Sequence, residues 1–430
     1  MNIFPISLFT SKNVLRIPLL FLFMFFTEGS ICQISNSSYI FGHSLVNHSA
    51  DPSTQNRSNI PDWMYLLAQQ AGNGYSVDGQ FGFLPLQELP PIYQWGFIDA
   101  PNTRTNESNE DFGSWDYDNV IVTLANFIQQ TSTPSQNAFC DEPYYYDCNQ
   151  DPNALSSVEA VLRVLDYARN EESGINFYIY ENWPEFNGTF PSVSQEEEDR
   201  EFGAFYEYTR GEFHDWWITL QDEVLAARPD VDVKLIPVGP ILADLFSDNG
   251  ILGDIPASTL YEDSAPHGYP VVYFLTALIH YSVLYGERPP TNFQFPDADL
   301  PAPIRIPDMV KNNYAAIVDF IWNSLQQYTF STGESRVFLT SQMLSTDDIS
   351  IQTPKPILYP NPGNGVVNLE LPNSTIFPVE VKVINTIGQV IDVVSITDHQ
   401  STTFNLDKKG TFFLKIIGDQ YSDIVKLIVK

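Results

Sequence analysis

Short apolar runs alternate with longer amphipathic stretches over residues 38–328, and this alternation limits the fold more than any other feature of the chain. The apolar runs predict buried strands at residues 39–42, 119–124, 175–180 and 233–238. The amphipathic stretches predict helices at residues 61–71, 156–170, 194–227, 269–285 and 307–328. Strands separated by helices are joined by right-handed crossovers, so the sequence predicts an α/β fold whose parallel sheet has helices on both faces.

The end of the chain differs from this pattern in both period and charge. Strand-length runs separated by turn residues predict β-strands at residues 366–371, 379–384, 390–394, 410–416 and 424–429. Residues 351–430 contain seven lysines, no arginine and seven acidic residues, whereas the whole chain has a net charge of −32. We therefore expect an α/β domain at 33–340, a linker at 341–353 and a small antiparallel β-sandwich at 354–430.

The charge and the N-terminal segment indicate an exported protein that does not bind nucleic acid. A net charge of −32 repels phosphate backbones and anionic lipid surfaces. Lys12 and Arg16 precede a ten-residue apolar run at 17–26, which is too short to span a bilayer and fits a secretory signal at 1–32, cut before Gln33. No later stretch reaches the roughly 18 apolar residues of a membrane helix, so we expect no transmembrane segment in the mature chain.

Removal of the signal leaves two cysteines, Cys140 and Cys148, separated by a short loop. An even number of cysteines in an exported chain favours a disulfide, with two free thiols as the alternative. A metal site would need more Cys or His nearby than this loop provides.

Ser44 lies two residues after the first predicted strand, and two further candidate residues lie far downstream. A serine at the carboxyl edge of a parallel sheet is placed where such folds bind ligands, although a helix N-cap is the ordinary explanation. His267 lies in a Pro/Gly-containing loop before an apolar helix, with Asp263 close enough in sequence to orient its ring. Nucleophile, base and acid of these types can form a catalytic triad.

The order Gly42-His-Ser-Leu45 near the first strand, with Asp263 and His267 near the last, resembles the GDSL-like SGNH hydrolases over residues 38–285. The resemblance implies a flavodoxin-like three-layer α/β/α fold, with Ser44 as nucleophile and His267 as general base. His43 stands where the family usually has aspartate. Asp263 is four residues before His267 rather than three, so Glu262 or another loop acid is an alternative third member.

The same resemblance implies three contributors to an oxyanion hole. The amide of Ser44 is the first, and the side chain of Asn126, two residues after the second predicted strand, is the second. The third is a glycine located in the sequence between Ser44 and Asn126, and we favour Gly79 over Gly82 for this role.

The tail carries a second resemblance. The segments Leu358-Tyr-Pro-Asn-Pro-Gly-Asn-Gly365, Val383-Ile-Asn-Thr-Ile-Gly-Gln-Val390 and Gly410-Thr-Phe-Phe-Leu-Lys-Ile416 occur in the order found in the C-terminal sorting domain of type IX secretion substrates. This similarity implies passage through the periplasm to the outer surface or medium, with the secretion machinery as a partner.

The remaining histidines have no motif of their own. His43 neighbours Ser44 on an extended segment, where adjacent side chains point apart, so it is a poor base for that serine. His280 lies in an apolar helix and reads as a core residue, whereas His48 and His214 could line a cleft.

Together these features predict a secreted SGNH-type serine esterase that deacylates a carbohydrate and needs no cofactor or metal. Trp95, Trp115 and Trp183 could stack on sugar rings. Two rivals stay open: a catalytically silent carbohydrate-binding protein on the same fold, and a carboxylate- or metal-dependent glycoside-active enzyme. Asp111, Asp116 and Asp118 could bind calcium, but they lack EF-hand spacing.

Overall fold

The computed structural model of the protein describes most of the chain after the N-terminal segment. The described residues are 34–49, 57–90, 95, 97, 100–104, 111–130, 132–136, 155–186, 195–296, 305–343, 356–359, 364–371, 377–385, 389–397, 401–406, 408–418 and 421–430. The expected signal peptide at 1–32 and the expected disulfide between Cys140 and Cys148 lie outside these residues.

The chain divides into two compact units, the first reaching Val337 and the second covering Phe338–Lys430. The first unit contains β1 (Ser35–Gly42), β2 (Asn47–Ser49), β3 (Ser58–Asn59), α1 (Ile60–Ala71), β4 (Gly74–Phe81), β5 (Asn119–Val122), α2 (Ser157–Glu171), β6 (Asn176–Glu181), α3 (Gln195–Tyr208), α4 (His214–Ala227), β7 (Val233–Pro237), α5 (Val238–Phe246), α6 (Pro270–Tyr285), α7 (Asp308–Asn312) and α8 (Tyr314–Leu325).

Five strands of the first unit form a parallel sheet in the order β4-β1-β5-β6-β7. Counted along the chain within this sheet, the order is 2-1-3-4-5, and the direction of winding reverses between β1 and β5. Ligands of open α/β sheets bind at the carboxyl ends of the strands beside such a reversal. The topology therefore predicts a ligand-binding site at the segments that follow β1 and β5.

Helices cover both faces of the parallel sheet, which confirms the predicted α/β class. Alternate residues of β6 point to opposite faces. Phe177 and Ile179 join a buried cluster that includes side chains of α2 and α4. Tyr180 points the other way, and its ring lies 4.7 Å from that of His280 in α6.

The long helix expected at 194–227 is interrupted. A π-helical turn spans Thr209–Phe213, and Gly211 within it has non-helical backbone angles. His214 follows this turn, and its Nδ1 lies 2.9 Å from the buried carboxylate of Glu181 at the end of β6. Glu181 raises the pKa of His214 against the opposing effect of burial. The acid and the imidazole thus fix the second half of the helix to the sheet.

The second unit contains the short helix α9 (Thr340–Met343) and the strands β8 (Ile357–Tyr359), β9 (Val366–Glu370), β10 (Val379–Asn385), β11 (Val390–Ile396), β12 (Ser401–Asn405), β13 (Gly410–Gly418) and β14 (Tyr421–Val429). They form two antiparallel sheets, β11-β10-β13-β14 and β12-β9-β8. Both sheets contribute to one buried cluster. The predicted antiparallel character of the tail is confirmed, and β8 and β12 are strands that the sequence pattern did not predict.

Among the described residues, no helix is both long enough and apolar enough to cross a lipid bilayer.

His280 is a core residue, as its place in an apolar helix predicted. It is 2% exposed, and its Nδ1 donates to the carbonyl of Thr276 at 3.0 Å. Burial lowers the pKa of His280 to about 4 because the charged imidazolium would be poorly solvated in the core.

This buried imidazole makes stability depend on pH. Below about pH 6.5 the unfolded chain binds a proton at His280 that the folded chain does not, so the free energy of unfolding falls as the pH falls towards 4. We expect this residue to contribute about 2 kcal/mol of the loss between pH 7 and pH 5. Urea unfolding of wild type and His280→Phe at pH 7 and pH 5 measures the loss of unfolding free energy in each protein. Equal losses in the two proteins would contradict the assignment.

Candidate active site

Ser44 lies in a tight turn directly after β1, at the carboxyl edge of the parallel sheet. The amide of Val46 donates to the carbonyl of His43 at 2.8 Å, which closes the turn. Two buried tyrosines hold it from outside: Tyr273 of α6 donates its hydroxyl hydrogen to the carbonyl of Ser44 at 2.7 Å, and Tyr180 donates to that of Leu45 at 3.2 Å. The serine backbone is therefore fixed by neighbouring elements while its side chain stays partly exposed.

A chain of hydrogen bonds connects Ser44 to the loop before α6. Oγ of Ser44 lies 2.8 Å from Nε2 of His267, although the two residues are 223 positions apart. Nδ1 of His267 lies 2.7 Å from Oδ2 of Asp263. Because the carboxylate accepts the Nδ1 hydrogen, Nε2 has a free electron pair and accepts the hydroxyl hydrogen of Ser44.

The four-residue spacing of Asp263 and His267 follows from the structure of their loop. Oδ1 of Asp263 accepts hydrogen bonds from the amides of Ala265 and His267, each at 3.0 Å, while Oδ2 faces the imidazole. Burial raises the pKa of Asp263, but the hydrogen bonds from His267 and Ala265 outweigh it and hold the pKa below its ordinary value. One carboxylate thus shapes the loop and orients the ring.

Neighbouring elements also hold this loop in place through its carbonyl groups. Nδ2 of Asn126 donates to the carbonyl of Ala265 at 3.0 Å, and the indole of Trp183 donates to that of Pro266 at 2.9 Å. Trp183 is 1% exposed, so it supports the loop instead of offering a surface for sugars, contrary to the sequence prediction.

Two of the three expected oxyanion donors follow neighbouring strands at the carboxyl edge of the sheet. None of the described residues accepts a hydrogen bond from the Ser44 amide. Asn126 follows β5 at the same sheet edge, and its Nδ2 carries a second hydrogen beyond the one given to Ala265. Each of these two groups therefore has a hydrogen that it can still donate.

The structure does not place Gly79, the third expected oxyanion donor, with Ser44 and Asn126. Gly79 lies within β4, paired with Ile40, four residues before Ser44. A Cβ atom there would lie 2.6 Å from the carbonyl oxygen of Ile40, so close approach of β1 explains the glycine. Gly82, the alternative, follows the strand, but its amide donates to the carbonyl of Gly42 at 2.8 Å.

His43 is buried and faces away from the Ser44 hydroxyl. Its Nε2 donates to the carbonyl of Leu124 at 3.0 Å, and its Nδ1 accepts weakly from the amide of Leu45 at 3.4 Å. Burial lowers the pKa of His43 to about 4, so the ring is neutral at pH 7. It therefore ties the turn after β1 to the end of β5.

A stacked imidazole is the feature of the site that sequence reasoning missed. His48 in β2 lies parallel to the ring of His267, with 3.7 Å between centroids and 11° between planes. Nε2 of His48 lies 3.5 Å from Oε2 of Glu262. Glu262, the alternative third member of the triad, therefore faces His48, whereas Asp263 bonds His267. Only the presence of a second histidine four residues after Ser44 hinted at this.

Among the described residues, one set of side chains has metal-ligand types at close range. Nitrogen and oxygen atoms of His48, Asp263 and His267 lie within 4.8 Å of one another. A zinc ion must lie in the plane of each ligating ring, about 2.0 to 2.1 Å from its nitrogen. Parallel stacked rings cannot both meet that condition, and both nitrogens of His267 already have partners. The arrangement fits proton transfer better than metal binding.

The tail has a recognisable family. Residues 357–430 match the secretion system C-terminal sorting domain, which confirms the resemblance of the tail. This domain marks the protein for secretion to the outer surface and implies interaction with the type IX secretion machinery. No curated protein matches the chain.

Several solved structures overlay loosely on the chain. A DUF4886 family protein from Bacteroides uniformis is 13% identical, with a TM-score of 0.39, and the match covers 67% of this chain and 94% of that one. An engineered protein is 14% identical, with a TM-score of 0.14 and coverage of 72% and 76%. A Cellulomonas fimi endo-beta-1,4-mannanase double mutant is 13% identical, with a TM-score of 0.14 and coverage of 73% and 77%. At these TM-scores the similarities carry no argument about activity.

Proposed function

We propose that the first unit is a serine esterase of the SGNH type that removes acyl groups, such as acetyl, from a carbohydrate. The observation that carries the proposal is the hydrogen-bond chain from Ser44 Oγ through His267 to Asp263. It joins three residue types that have defined roles in acyl transfer, at the sheet edge where α/β folds bind ligands.

In the first half of the reaction, Oγ of Ser44 attacks the carbonyl carbon of the ester and passes its proton to Nε2 of His267. Asp263 holds the Nδ1 hydrogen and stabilises the imidazolium that forms. The negative charge on the carbonyl oxygen is met by the Ser44 amide and the Asn126 side chain. When the carbon–oxygen bond to the leaving alcohol breaks, Nε2 returns the proton to that oxygen.

The second half repeats these steps with water. Nε2 of His267 takes a proton from a water molecule, whose oxygen attacks the acyl-serine. Collapse of the intermediate breaks the bond to Ser44 Oγ, which recovers its proton from His267. The products are the free alcohol and a carboxylic acid, and the enzyme returns to its initial state.

Two further observations support the SGNH type and a neutral substrate. The strand order 2-1-3-4-5 is that of flavodoxin-like folds, and Ser44 and Asn126 follow the two strands at its reversal point. A net charge of −32 disfavours polyanionic substrates, whereas esters of neutral sugars carry no charge to repel.

The catalytically silent alternative would be favoured if His43, which stands in place of the family's usual aspartate, disturbed the site. His43 is occupied by backbone contacts and does not disturb the hydrogen bond between Ser44 and His267. These contacts favour the enzyme over the silent protein.

Substitution of the triad tests the proposal. We expect Ser44→Ala and His267→Ala each to lower kcat for p-nitrophenyl acetate by about 10⁴-fold or more, and the double variant to lose little further, because triad members act as a unit. Asp263→Asn should lower kcat strongly and Glu262→Gln only slightly, since Asp263 alone bonds His267. Asn126→Ala should cost about 10² to 10³-fold as one oxyanion donor.

Circular dichroism of each variant serves as the control for folding. Near-normal turnover by folded Ser44→Ala would end the serine-esterase proposal. Additive losses in the double variant would show that the two residues have separate roles. Loss of wild-type activity in EDTA, without labelling by a serine reagent, would favour the metal-dependent rival.

The stacked ring of His48 generates a separate prediction. We expect it to hold the His267 ring in the plane that faces both Ser44 and Asp263, as a positioning residue. Aromatic pairs contribute about 0.5 to 1.5 kcal/mol beyond burial, so His48→Ala should lower kcat by up to about tenfold with KM unchanged. His48→Phe keeps a flat ring over His267 and should restore most of the loss.

Steady-state kinetics of the wild type and both variants measure the changes in kcat and in KM separately. If His48→Phe is as slow as His48→Ala, the ring stack is not the cause, and the contact between His48 and Glu262 would be the part that matters.

A further inference from the structure

A cavity of about 360 Å³ opens at the carboxyl end of β4, beside the turn that carries Ser44. Phe81, Gly82 and Leu86 are among its lining residues. Phe81 pairs with Gly42 in the sheet register, and the amide of Gly82 donates to the Gly42 carbonyl. Adjacent strands lie about 4.8 Å apart and two chain steps span at most about 7.6 Å, so the Cα atoms of Phe81 and Ser44 lie within about 12 Å.

The cavity has unusual apolar exposure for this unit. Among the described residues up to Val337, the large hydrophobic side chains that are exposed are Ile34, Phe81 and Leu86, and two of these three line the cavity. Phe81 is 63% exposed. Exposed apolar side chains that cluster beside a concave surface are typical of ligand-binding grooves.

The exposed ring is held in a defined orientation. Trp95 meets Phe81 edge to face, with 5.6 Å between centroids and 82° between planes, and Trp95 in turn packs against Phe97. The amide of Trp95 donates to the carbonyl of Gly79 at 2.9 Å, which fixes the tryptophan backbone to β4. A preorganised ring costs little entropy when a ligand stacks on it.

The polar residues of the cavity identify the class of ligand. Gln80 and Gln87 bond neighbouring carbonyl groups, at 2.7 Å to Glu88 and 2.7 Å to Gly82, and so hold the loop itself. The side chain of Glu88 is exposed at the rim and can accept hydrogen bonds from hydroxyl groups. A sugar ring combines an apolar C–H face with hydroxyl groups at its edge. A long acyl chain would favour an enclosed apolar pocket, and an anion would be repelled by Glu88.

We infer that this cavity is a subsite for an uncharged sugar ring of the substrate, which stacks on Phe81 and donates hydroxyl hydrogens to Glu88. The inference rests on the proposed esterase function for its catalytic consequence. The saccharide occupies the subsite while an acyl group attached to the same or the next ring reaches Ser44.

Kinetics on two substrates test the subsite. p-Nitrophenyl acetate is too small to fill both the cavity and the site at Ser44, whereas acetylated xylo-oligosaccharides can do so. We expect Phe81→Ala to raise KM for the acetylated oligosaccharide about tenfold or more and to leave kcat/KM for p-nitrophenyl acetate within about twofold. Phe81→Trp keeps a stacking face and should retain the wild-type KM. Tyr359→Ala, an exposed aromatic of the second unit, is the matched control and should change neither.

Binding without turnover separates this inference from the proposed function. Titration calorimetry with unacetylated xylo-oligosaccharides should detect binding to wild type and a loss of at least tenfold in affinity for Phe81→Ala. Such binding by a protein that hydrolyses no ester would support the subsite and refute the esterase. Ester hydrolysis with equal KM in wild type and Phe81→Ala would overturn the subsite alone. Equal losses on both substrates would show that Phe81 supports the fold, which also overturns it.

Discussion

Parallel strands end at a common edge, and the whole candidate site depends on that constraint. Ser44 follows β1, and Asn126 follows β5, its neighbour in the sheet. The loop of Asp263 and His267 reaches the same edge because α6 lies across the sheet face and sends Tyr273 to the Ser44 carbonyl. The contact between residues 223 positions apart therefore follows from the sheet, from α6 and from the hydrogen bonds that Asn126 and Trp183 donate to the loop.

Polar contacts with the backbone give this edge its rigidity. His43 joins the turn after β1 to the end of β5, and Asp263 shapes its own loop while it orients His267. Neither side chain places an unpaired charge in the protein interior. His43 is neutral, and the carboxylate of Asp263 accepts several hydrogen bonds. The result is an imidazole at His267 whose orientation is set before any ligand arrives, as its proposed role of general base requires.

The sequence predicted the elements whose apolar period is strong. Four of the five parallel strands and most of the helices beside them were predicted, and the hydrogen bond between Ser44 and His267 is the contact that the triad prediction requires. The short helix α5 was not predicted. The edge strand β4 was missed because it contains two glycines and the polar residues Asp78 and Gln80. These polar groups are buried but satisfied: the hydroxyl of Tyr117 donates to Asp78 at 2.7 Å, and that of Tyr39 donates to Gln80. The stack of His48 on His267 was missed because it depends on a short strand with no periodic signal.

The proposed mechanism requires His267 to activate Ser44 as a nucleophile, and covalent labelling measures this activation. A fluorophosphonate reacts with an activated serine in the absence of any substrate, so the result does not depend on knowing the acyl group. Tandem mass spectrometry of the labelled full chain should place the adduct on Ser44, with labelling slowed by several orders of magnitude in His267→Ala. An unlabelled Ser44 in the folded protein, or an adduct on a different serine, would show that His267 does not activate Ser44.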